Sequence, residues 1–277
     1  MADKEKRTRI AIRVFLVAIF LIPLALVRYK SSFGGETFLE ITVLDVGQGD
    51  AILIKTPHNK KILIDGGPDG GVVGKIPQDF PFFSCYVDIV LSTHSHSDHI
   101  TGMNAILKRC ATPLFIINDI GPLENRPNEN VAITPGFSGD KFSLDGVNFY
   151  ILWPPKDFSS SDLNNMSIVV LMEYNGFKAL FTGDAESDIL VSVVTDDIDF
   201  LKSPHHGSYD EGLETLLSKA TPAIMAISVG KNSFGHPSSQ VLGIADSADI
   251  EVLRTDEDGD IIVKVDSEGE VYTTTLR

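Results

Sequence analysis

Residues 92–102 have the sequence STHSHSDHITG, and they directly follow an apolar run that is typical of a buried strand. Side chains two positions apart in an extended segment face the same side, so His94 and His96 are placed to bind one cation together. Asp98 and His99 come where the chain turns into a predicted helix, and they are placed for a second, adjacent cation. Imidazole with carboxylate is the ligand mix of Zn, Mn or Fe sites. The stretch therefore predicts a metal centre rather than a polar loop with incidental histidines.

Three further elements with ligand-type side chains follow predicted strands. Asp184 ends an apolar run, although such an aspartate on its own is more often a helix N-cap. His205 and His206 lie in LKSPHHGS, residues 201–208, and His236 lies in a Gly-His-Pro tripeptide. Six of the seven histidines thus fall in three clusters near strand ends, which favours one composite site over scattered histidines.

The rest of the folded part contains two β-rich halves, each followed by helical patterns. The runs FLEITVLDV, AILIKT and KILID indicate consecutive antiparallel strands, and Asn175-Gly176 is typical of a hairpin turn. Predicted helices span about residues 101–110, 185–194, 210–219 and 238–247, and a long surface loop is predicted over 118–140. This order predicts two sheets packed together and covered by helices.

The charge divides the chain of 277 residues into two parts. The net charge is −15, which argues against binding nucleic acid through bulk charge, yet residues 1–30 carry seven basic and two acidic side chains. The remaining residues therefore hold −20, and residues 245–277 contribute ten acids against three bases. Much of the negative charge lies at the C-terminal end, so a nucleic-acid substrate requires a local basic path to the metals.

An apolar segment over residues 10–27 predicts an N-terminal transmembrane helix, interrupted only by Arg13 and Pro23. The preceding basic residues favour a cytoplasmic N-terminus and an extracytoplasmic remainder. We therefore expect a tip and anchor over 1–30, a linker over 31–37 and a folded domain over 38–277, in a single-pass protein of the cytoplasmic membrane. Secretion after signal cleavage is the alternative, although no clear cleavage site follows the apolar run.

HSHSDH, residues 94–99, resembles the H-x-H-x-D-H signature of the metallo-β-lactamase superfamily. Other stretches resemble the hydrolase domain of ComEC-type DNA-uptake (competence) proteins, in family order across residues 38–277. These stretches are LDVGQGDAILI (44–54), ILIDGG (62–67), STHSHSDHITG (92–102), LFTGDAE (180–186), LKSPHHGS (201–208), SVGKNSFGHPSSQVL (228–242) and LRTDEDGDI (253–261). The resemblance implies an α/β fold, a four-layer αββα sandwich with its site at the edge between the sheets.

The resemblance also implies two divalent metal ions, Zn or Mn. Their implied ligands are His94, His96, Asp98, His99, Asp184 and His206. Asp98, His205 and His236 are implied as catalytic side chains, the two histidines contacting the substrate phosphate or assisting the leaving group. The chain departs from the wider superfamily between His99 and Asp184, where a further histidine ligand is usual and this chain has none.

Asn164-Asn165-Met166-Ser167 stands at about the place of that missing histidine. Three other aspartates belong to recognisable motifs. For Asp45, Asp50 and Asp65 we expect turns and hydrogen bonds to the ligand histidines.

These residues predict a metal-dependent hydrolase that cleaves phosphodiesters, most readily a ComEC-like nuclease acting on DNA outside the cytoplasmic membrane. The cations would activate water for attack on phosphorus, and His236 would stabilise charge on the non-bridging oxygens. Lys202 and Lys231 lie beside the motifs and add positive potential. A basic run, Lys55, His58, Lys60 and Lys61, is a candidate guide for a phosphate backbone, with a solvated hairpin turn as the alternative.

Two other functions stay open at this point. One is an extracytoplasmic phosphodiesterase with a non-nucleic substrate such as a choline-phosphate ester, which requires an aromatic cage; Phe80, Phe82, Phe83 and Tyr86 are the candidates. The other is a non-catalytic, membrane-tethered binding module. Protein partners are not indicated, and Cys85 and Cys110 are expected to be small apolar core residues.

Overall fold

Two β-sheets form the centre of the fold in the computed structural model, which describes residues 37–77, 85–118 and 130–277. The first six strands belong to one sheet: β1 (Leu39–Val43), β2 (Ile52–Lys55), β3 (Lys61–Ile64), β4 (Ile89–Leu91), β5 (Leu114–Ile116) and β6 (Ala132–Thr134). The next seven form the other sheet: β7 (Lys141–Leu144), β8 (Val147–Trp153), β9 (Val169–Tyr174), β10 (Phe177–Phe181), β11 (Phe200–Lys202), β12 (Ile224–Ile227) and β13 (Glu251–Arg254). The last two, β14 (Asp260–Val265) and β15 (Val271–Leu276), return to the first sheet.

Six α-helices accompany these strands in the described residues. They are α1 (Val72–Lys75), α2 (Ser97–Arg109), α3 (Ser187–Val193), α4 (Leu213–Ala220), α5 (Ser239–Ser247) and α6 (Thr255–Asp258). Short 3-10 helices occur at Asn164–Met166 and Pro204–Gly207.

Apolar residues hold the two sheets face to face. Ile41, Ile54 and Val263 from the first sheet and Phe149 and Phe181 from the second belong to one buried cluster. Burying each such side chain is worth roughly 1.5–3 kcal/mol relative to leaving it exposed. Burial of this cluster is therefore the main stabilising contribution that holds the two sheets together.

Helices cover both outer faces. On α2, Ile100, Met103 and Leu107 recur at helical spacing and are buried against the first sheet. On the second sheet, α4 and α5 bury Leu213 and Val241 in a separate apolar cluster. The architecture is an αββα sandwich, and the expected two sheets covered by helices are confirmed.

Strand direction decides where the functional loops lie. The strands β1, β2 and β3 are antiparallel, as predicted, and Asn175-Gly176 closes the β9–β10 hairpin. The strands β3 and β4 run parallel in the first sheet, and β10, β11 and β12 run parallel in the second. Parallel strands end on the same edge of a sheet, where open α/β folds place their sites.

Two predicted boundaries are wrong. The helix expected from about Thr101 begins at Ser97, so Asp98 lies in its first turn. An acidic side chain is favourable there because the helix N-terminus carries partial positive charge. The long loop expected over 118–140 contains β6, which pairs parallel with β5; residues 119–129 of that loop lie outside the described residues.

Cys85 and Cys110 form a disulfide, so the expectation that they are separate apolar core residues is wrong. The chain enters β4 just after Cys85 and returns along α2, which brings Cys110 back to the same end. The Cys85 carbonyl accepts a hydrogen bond from the Ala111 N–H, 3.0 Å away. The disulfide therefore fastens the far end of the helix that carries Asp98 and His99.

The predicted anchor over residues 1–30 and the linker over 31–36 lie outside the described residues. In the part of the chain that is described, none of the helices combines the length and the apolar character needed to cross a bilayer.

Removing the disulfide is expected to destabilise the domain. The half-cystines are 25 residues apart, and closing a loop of that size is worth about 3 kcal/mol. The double variant Cys85→Ser/Cys110→Ser should melt about 6–12 °C lower, measured by circular dichroism. Reduction of the wild-type protein is the control and should lower Tm by a similar amount. A Tm that neither the double substitution nor reduction changes would contradict the expectation.

Candidate metal centre

The carboxylate of Asp184 is the meeting point of the histidine clusters. Its Oδ2 atom lies 3.3 Å from the Nε2 atom of His99 and 3.5 Å from that of His206. The Nε2 atoms of His94 and His205 each lie 3.9 Å from the same oxygen. The tertiary structure therefore brings four histidines from two sequence motifs around one buried carboxylate from a third.

Outer hydrogen bonds turn the histidines toward this point. Asp65, fully buried after β3, accepts hydrogen bonds from the Thr93 N–H and hydroxyl, both at 2.7 Å, and lies 2.8 Å from His99 Nδ1. The Thr93 hydroxyl lies 3.1 Å from His94 Nδ1. One carboxylate thus orients two imidazoles and leaves their Nε2 atoms directed inward, as partners of metal-bound histidines commonly do. The hydrogen bonds expected for Asp65 are confirmed.

His206 is oriented by a different set of groups. Its Nδ1 atom lies 2.9 Å from the Ser228 carbonyl oxygen and 3.3 Å from Asp50 Oδ1. Asp50 also forms an ion pair with Lys202, Oδ2 to Nζ 2.6 Å, and both side chains are at most 1% exposed. Lys202 is therefore buried beneath the site and stabilises the Asp50 carboxylate, instead of facing a substrate.

Polar atoms without partners mark the place where cations fit. His99 Nε2, His206 Nε2 and Asp184 Oδ1 are buried and form no hydrogen bond. Leaving such groups unpaired is costly, so an arrangement of several around one point fits a metal ion. The donor groups close enough to share an ion include His94, His99 and Asp184, and also Asp98, His99 and His206.

The remaining predicted residues lie around this centre. His96 Nδ1 is 3.0 Å from His94 Nε2 at a partly exposed position, and Asp98 Oδ2 is 3.3 Å from His206 Nε2. The His205 and His236 rings are 5.6 Å apart. All eight predicted site residues therefore gather at one edge of the sandwich. Their roles as ligands and catalysts stay predictions.

Burial and charge shift the protonation of the centre in opposite directions. Burial alone would lower the pKa of His206, but the carboxylates of Asp184 and Asp50 outweigh it and raise that pKa to about 9. Burial also opposes protonation of His99, whose pKa is raised well above its usual range by Asp184 and Asp65. Burial and the neighbouring His99 lower the pKa of His94. A metal ion must displace the protons from His99 and His206 when it binds.

Left-handed backbone positions allow the close approach of these loops. Gly183 has φ +52°, and a Cβ there would lie 2.9 Å from the Ser167 hydroxyl and the Thr93 Cβ. His205 and His206 have φ +43° and +54°, which non-glycine residues adopt only when surrounding contacts hold them. The strained turn places both imidazoles on the same side of the strand end.

Ser167 ends the segment that stands at about the place of the missing histidine, and it lies beside the centre. Its hydroxyl accepts a hydrogen bond from the Asp184 N–H, 3.1 Å, and lies 3.3 Å from His94 Nδ1. The sequence indicated the segment 164–167 but not this residue or its contacts. The buried ion pair of Lys202 with Asp50 was also missed, because its members are 152 positions apart and a lysine in the sequence suggests exposure.

The basic run proposed as a path for phosphate is not at the site. Lys61 begins β3 and Lys60 precedes it, whereas Asp65 follows the other end of the strand. Lys60 pairs with Asp88 at 3.1 Å and Lys55 pairs with Glu40 at 3.0 Å. The prediction that this run guides a substrate to the metals is therefore wrong, and the alternative of a hairpin turn is correct.

The sandwich and the buried histidine–carboxylate centre at the strand ends define the class of metal-dependent hydrolases. Residues 44–231 match the family model described as "Metallo-beta-lactamase superfamily". The chain belongs to the metallo-β-lactamase superfamily.

Curated relatives are competence and recombination proteins. The chain is 29% identical over 255 residues to ComE operon protein 3 of Bacillus subtilis, covering 80% of this chain and 32% of the relative. It is 30% identical over 211 residues to Recombination protein 2 of Haemophilus influenzae, covering 73% and 26%. Competence protein ComA of Neisseria gonorrhoeae is 27% identical, with coverages of 84% and 33%. The chain therefore resembles ComEC-type proteins and spans about a third or less of their length.

Solved structures share the fold at low sequence identity. The metallo-beta-lactamase fold protein YhfI from Bacillus subtilis matches with a TM-score of 0.56 and 11% identity, over 82% of this chain and 99% of that one. CmlA, a diiron beta-hydroxylase from Streptomyces venezuelae, matches with a TM-score of 0.56 and 12% identity, over 88% and 55%. The second match shows that this fold supports more than one reaction, so the substrate must be argued from the site.

Asp65 is expected to control metal affinity without contacting the metal. Asp65→Asn weakens the acceptor that orients His94 and His99, and such losses typically cost 10–100-fold in affinity. Calorimetric titration of the metal-free protein with Mn²⁺ should show this change. Asp45→Asn is the matched control, because that exposed carboxylate accepts a hydrogen bond from the Gly47 N–H within its own turn. Equal affinities of the two variants would contradict the expectation.

The metal-free protein should lose stability as pH rises through about 9. His206 binds its proton more tightly in the folded state than in the unfolded state. Its contribution to the free energy of unfolding is therefore complete below the ordinary histidine pKa of about 6.5 and disappears above about 9. Urea denaturation with a chelator, repeated between pH 6 and 10, should show this fall, and His206→Asn should make it shallower. His58→Asn, at an exposed position, should behave like the wild type.

Proposed function

We propose that this domain is a metal-dependent phosphodiesterase whose substrate is DNA, acting outside the cytoplasmic membrane. The observation that carries the proposal is that Asp184 belongs to two groups of buried donor atoms, one with His94 and His99 and the other with Asp50 and His206. A carboxylate in that place offsets the repulsion of two adjacent cations, which is the arrangement used for in-line displacement at phosphorus.

The charge of the centre supports two cations and an anionic substrate. Asp50, Asp65, Asp98 and Asp184 contribute four carboxylates, and Lys202 contributes one ammonium group. With neutral histidines, one divalent cation leaves a net negative centre, whereas two leave a single positive charge. A phosphodiester carries one negative charge, so the doubly loaded site attracts it and neutralises it.

Each residue has a distinct task in the proposed reaction. His94, His96, Asp98, His99, Asp184 and His206 would hold the two cations, Zn or Mn. Bound cations supply Lewis acidity and lower the pKa of water toward about 7. Asp65 and the Ser228 carbonyl keep the correct imidazole nitrogens directed inward.

His205 and His236 line the accessible side of the site. The His205 side chain is 35% exposed and its Nε2 atom is 3.9 Å from Asp184, so it is placed to donate a proton to the leaving oxygen. Burial and the nearby His205 lower the pKa of His236. His236 therefore acts as a neutral hydrogen-bond partner of the phosphate, and Lys231, exposed on the same loop, adds positive potential.

The similarity to competence and recombination proteins favours DNA over other phosphodiesters. The choline-phosphate alternative has no comparable support: Phe80, Phe82 and Phe83 lie outside the described residues, and Tyr86 precedes β4, at the end opposite His94. The non-catalytic alternative conflicts with the buried donors that lack partners, because a binding module has no need to keep them.

The disulfide supports the proposed location. Disulfides persist in oxidising compartments and are rare in the cytosol. The Cys85–Cys110 bond therefore agrees with a hydrolase domain on the outer side of the membrane, reached through the proposed single N-terminal helix.

Activity measurements test the proposal. With Mn²⁺ or Zn²⁺ we expect cleavage of single-stranded DNA, double-stranded DNA or both, and of bis-p-nitrophenyl phosphate. Asp184→Ala should lower turnover at least about 1,000-fold because the cations lose their shared ligand. Asp188→Ala, an exposed carboxylate one turn away on α3, is the matched control and should retain activity. Cleavage of the small ester alone would contradict the DNA substrate, and undiminished turnover by Asp184→Ala would contradict the metal assignment.

A further inference from the structure

One aromatic ring is exposed beside the catalytic edge. Phe234 is 73% exposed, more than the other large hydrophobic side chains of the described residues that reach the surface. Its ring centroid lies 5.7 Å from that of His236, which in turn lies 5.6 Å from that of His205. A chain of three rings thus leads from the surface to the Asp184 carboxylate.

The loop that carries Phe234 is held rigidly. The Oδ1 atom of Asn232 accepts hydrogen bonds from the N–H groups of Phe234, Gly235 and His236, at 3.0, 3.0 and 3.1 Å. Its Nδ2 atom donates to the carbonyl oxygens of Gly230 and His236, at 2.9 and 2.8 Å. The Asn232 side chain therefore holds the turn from Gly230 to His236 in one conformation.

An exposed phenyl ring on a rigidly held loop next to the reacting groups is suited to binding a flat ligand. Keeping a large apolar side chain in water is unfavourable, and the hydrogen bonds of Asn232 hold the loop backbone in the conformation that presents the ring beside His236. The same rigidity lowers the entropy lost when a ligand stacks on the ring. Isolated surface aromatics need no explanation, but this one is fixed in place beside His236.

We infer that Phe234 is a stacking platform for a nucleobase adjacent to the phosphate being cleaved, with Asn232 as its positioning residue. This inference rests on the proposed phosphodiesterase function and specifies its substrate. Every base has a π-face, so stacking binds nucleic acid without sequence preference. That property suits a site from which the predicted basic run is remote, with exposed Lys231 on the same loop as Phe234.

A quaternary ammonium group is the competing occupant. Such groups are bound in cages built from several aromatic rings. In the described part of the chain, the ring contact of Phe234 is with His236, which leaves a single open platform instead of a cage. A single platform favours a nucleobase.

The test compares an oligothymidylate with an abasic deoxyribose-phosphate oligomer of equal length, using the Mn²⁺-loaded full chain. Phe234→Ala should reduce the preference for the base-bearing oligomer, taken as the ratio of kcat/KM values, about 10–100-fold, mainly through KM. Phe234→Trp should restore the preference. Tyr86→Ala removes an exposed aromatic at the far end of β4 and should leave the preference unchanged.

A spectroscopic measurement makes the test independent of turnover. An oligonucleotide with a single 2-aminopurine should lose fluorescence when it binds the wild type or Phe234→Trp, because the base stacks, and should not lose it with Phe234→Ala. Asn232→Ala should weaken quenching while leaving the far-ultraviolet circular dichroism unchanged.

Each failure has a distinct signature. Hydrolysis of both oligomers with a preference that does not depend on Phe234 would overturn the stacking platform and leave the phosphodiesterase intact. Absence of hydrolysis of either oligomer by the loaded wild type would overturn the proposed function itself. A rise of the same size in KM for glycerophosphocholine, a choline ester without an aromatic group, in Phe234→Ala would assign the ring to a quaternary ammonium group and overturn the nucleobase.

Discussion

The convergence of imidazole nitrogens on the Asp184 carboxylate is the constraint that organises this molecule. Four histidine Nε2 atoms lie within 4 Å of one buried oxygen, although they come from two stretches of chain more than 100 residues apart. Such a cluster needs cations, oriented tautomers and excluded water at the same time. The two sheets satisfy this by ending their parallel strands at one edge, where β4, β10 and β11 deliver the loops.

The groups behind the histidines maintain this convergence. Asp65 orients His94 through Thr93 and orients His99 directly, while Asp50 connects His206 to the buried Lys202. Breaking a buried ion pair leaves an uncompensated charge, so Asp50 and Lys202 depend on one another. The GQGD turn also joins the two halves, because the Gly49 carbonyl accepts a hydrogen bond from the Ser228 hydroxyl at 2.7 Å. The site is therefore built from both sheets together with their outer layers.

The accessible side differs from the buried side in chemistry. Carboxylates and fixed imidazoles occupy the interior, whereas His205, His236 and Phe234 face the solvent. With the proposed cations bound, the centre would attract an anion locally, even in a domain with strong net negative charge.

Local sequence determined much of this protein. Residues 94–99, the aspartate at the end of β10 and the histidines after β11 were predictable as one site, because each follows an apolar run that ends at the same edge. The hairpin at Asn175-Gly176 and the helices near 185–194, 210–219 and 238–247 were predictable from turn chemistry and period. Only the tertiary structure decided the pairing of Cys85 with Cys110, the burial of Lys202 against Asp50, the place of Ser167 beside His94 and the position of the basic hairpin away from the site. These contacts join residues far apart in the chain, and periodicity and motif spacing carry no information about which distant side chains share a buried volume.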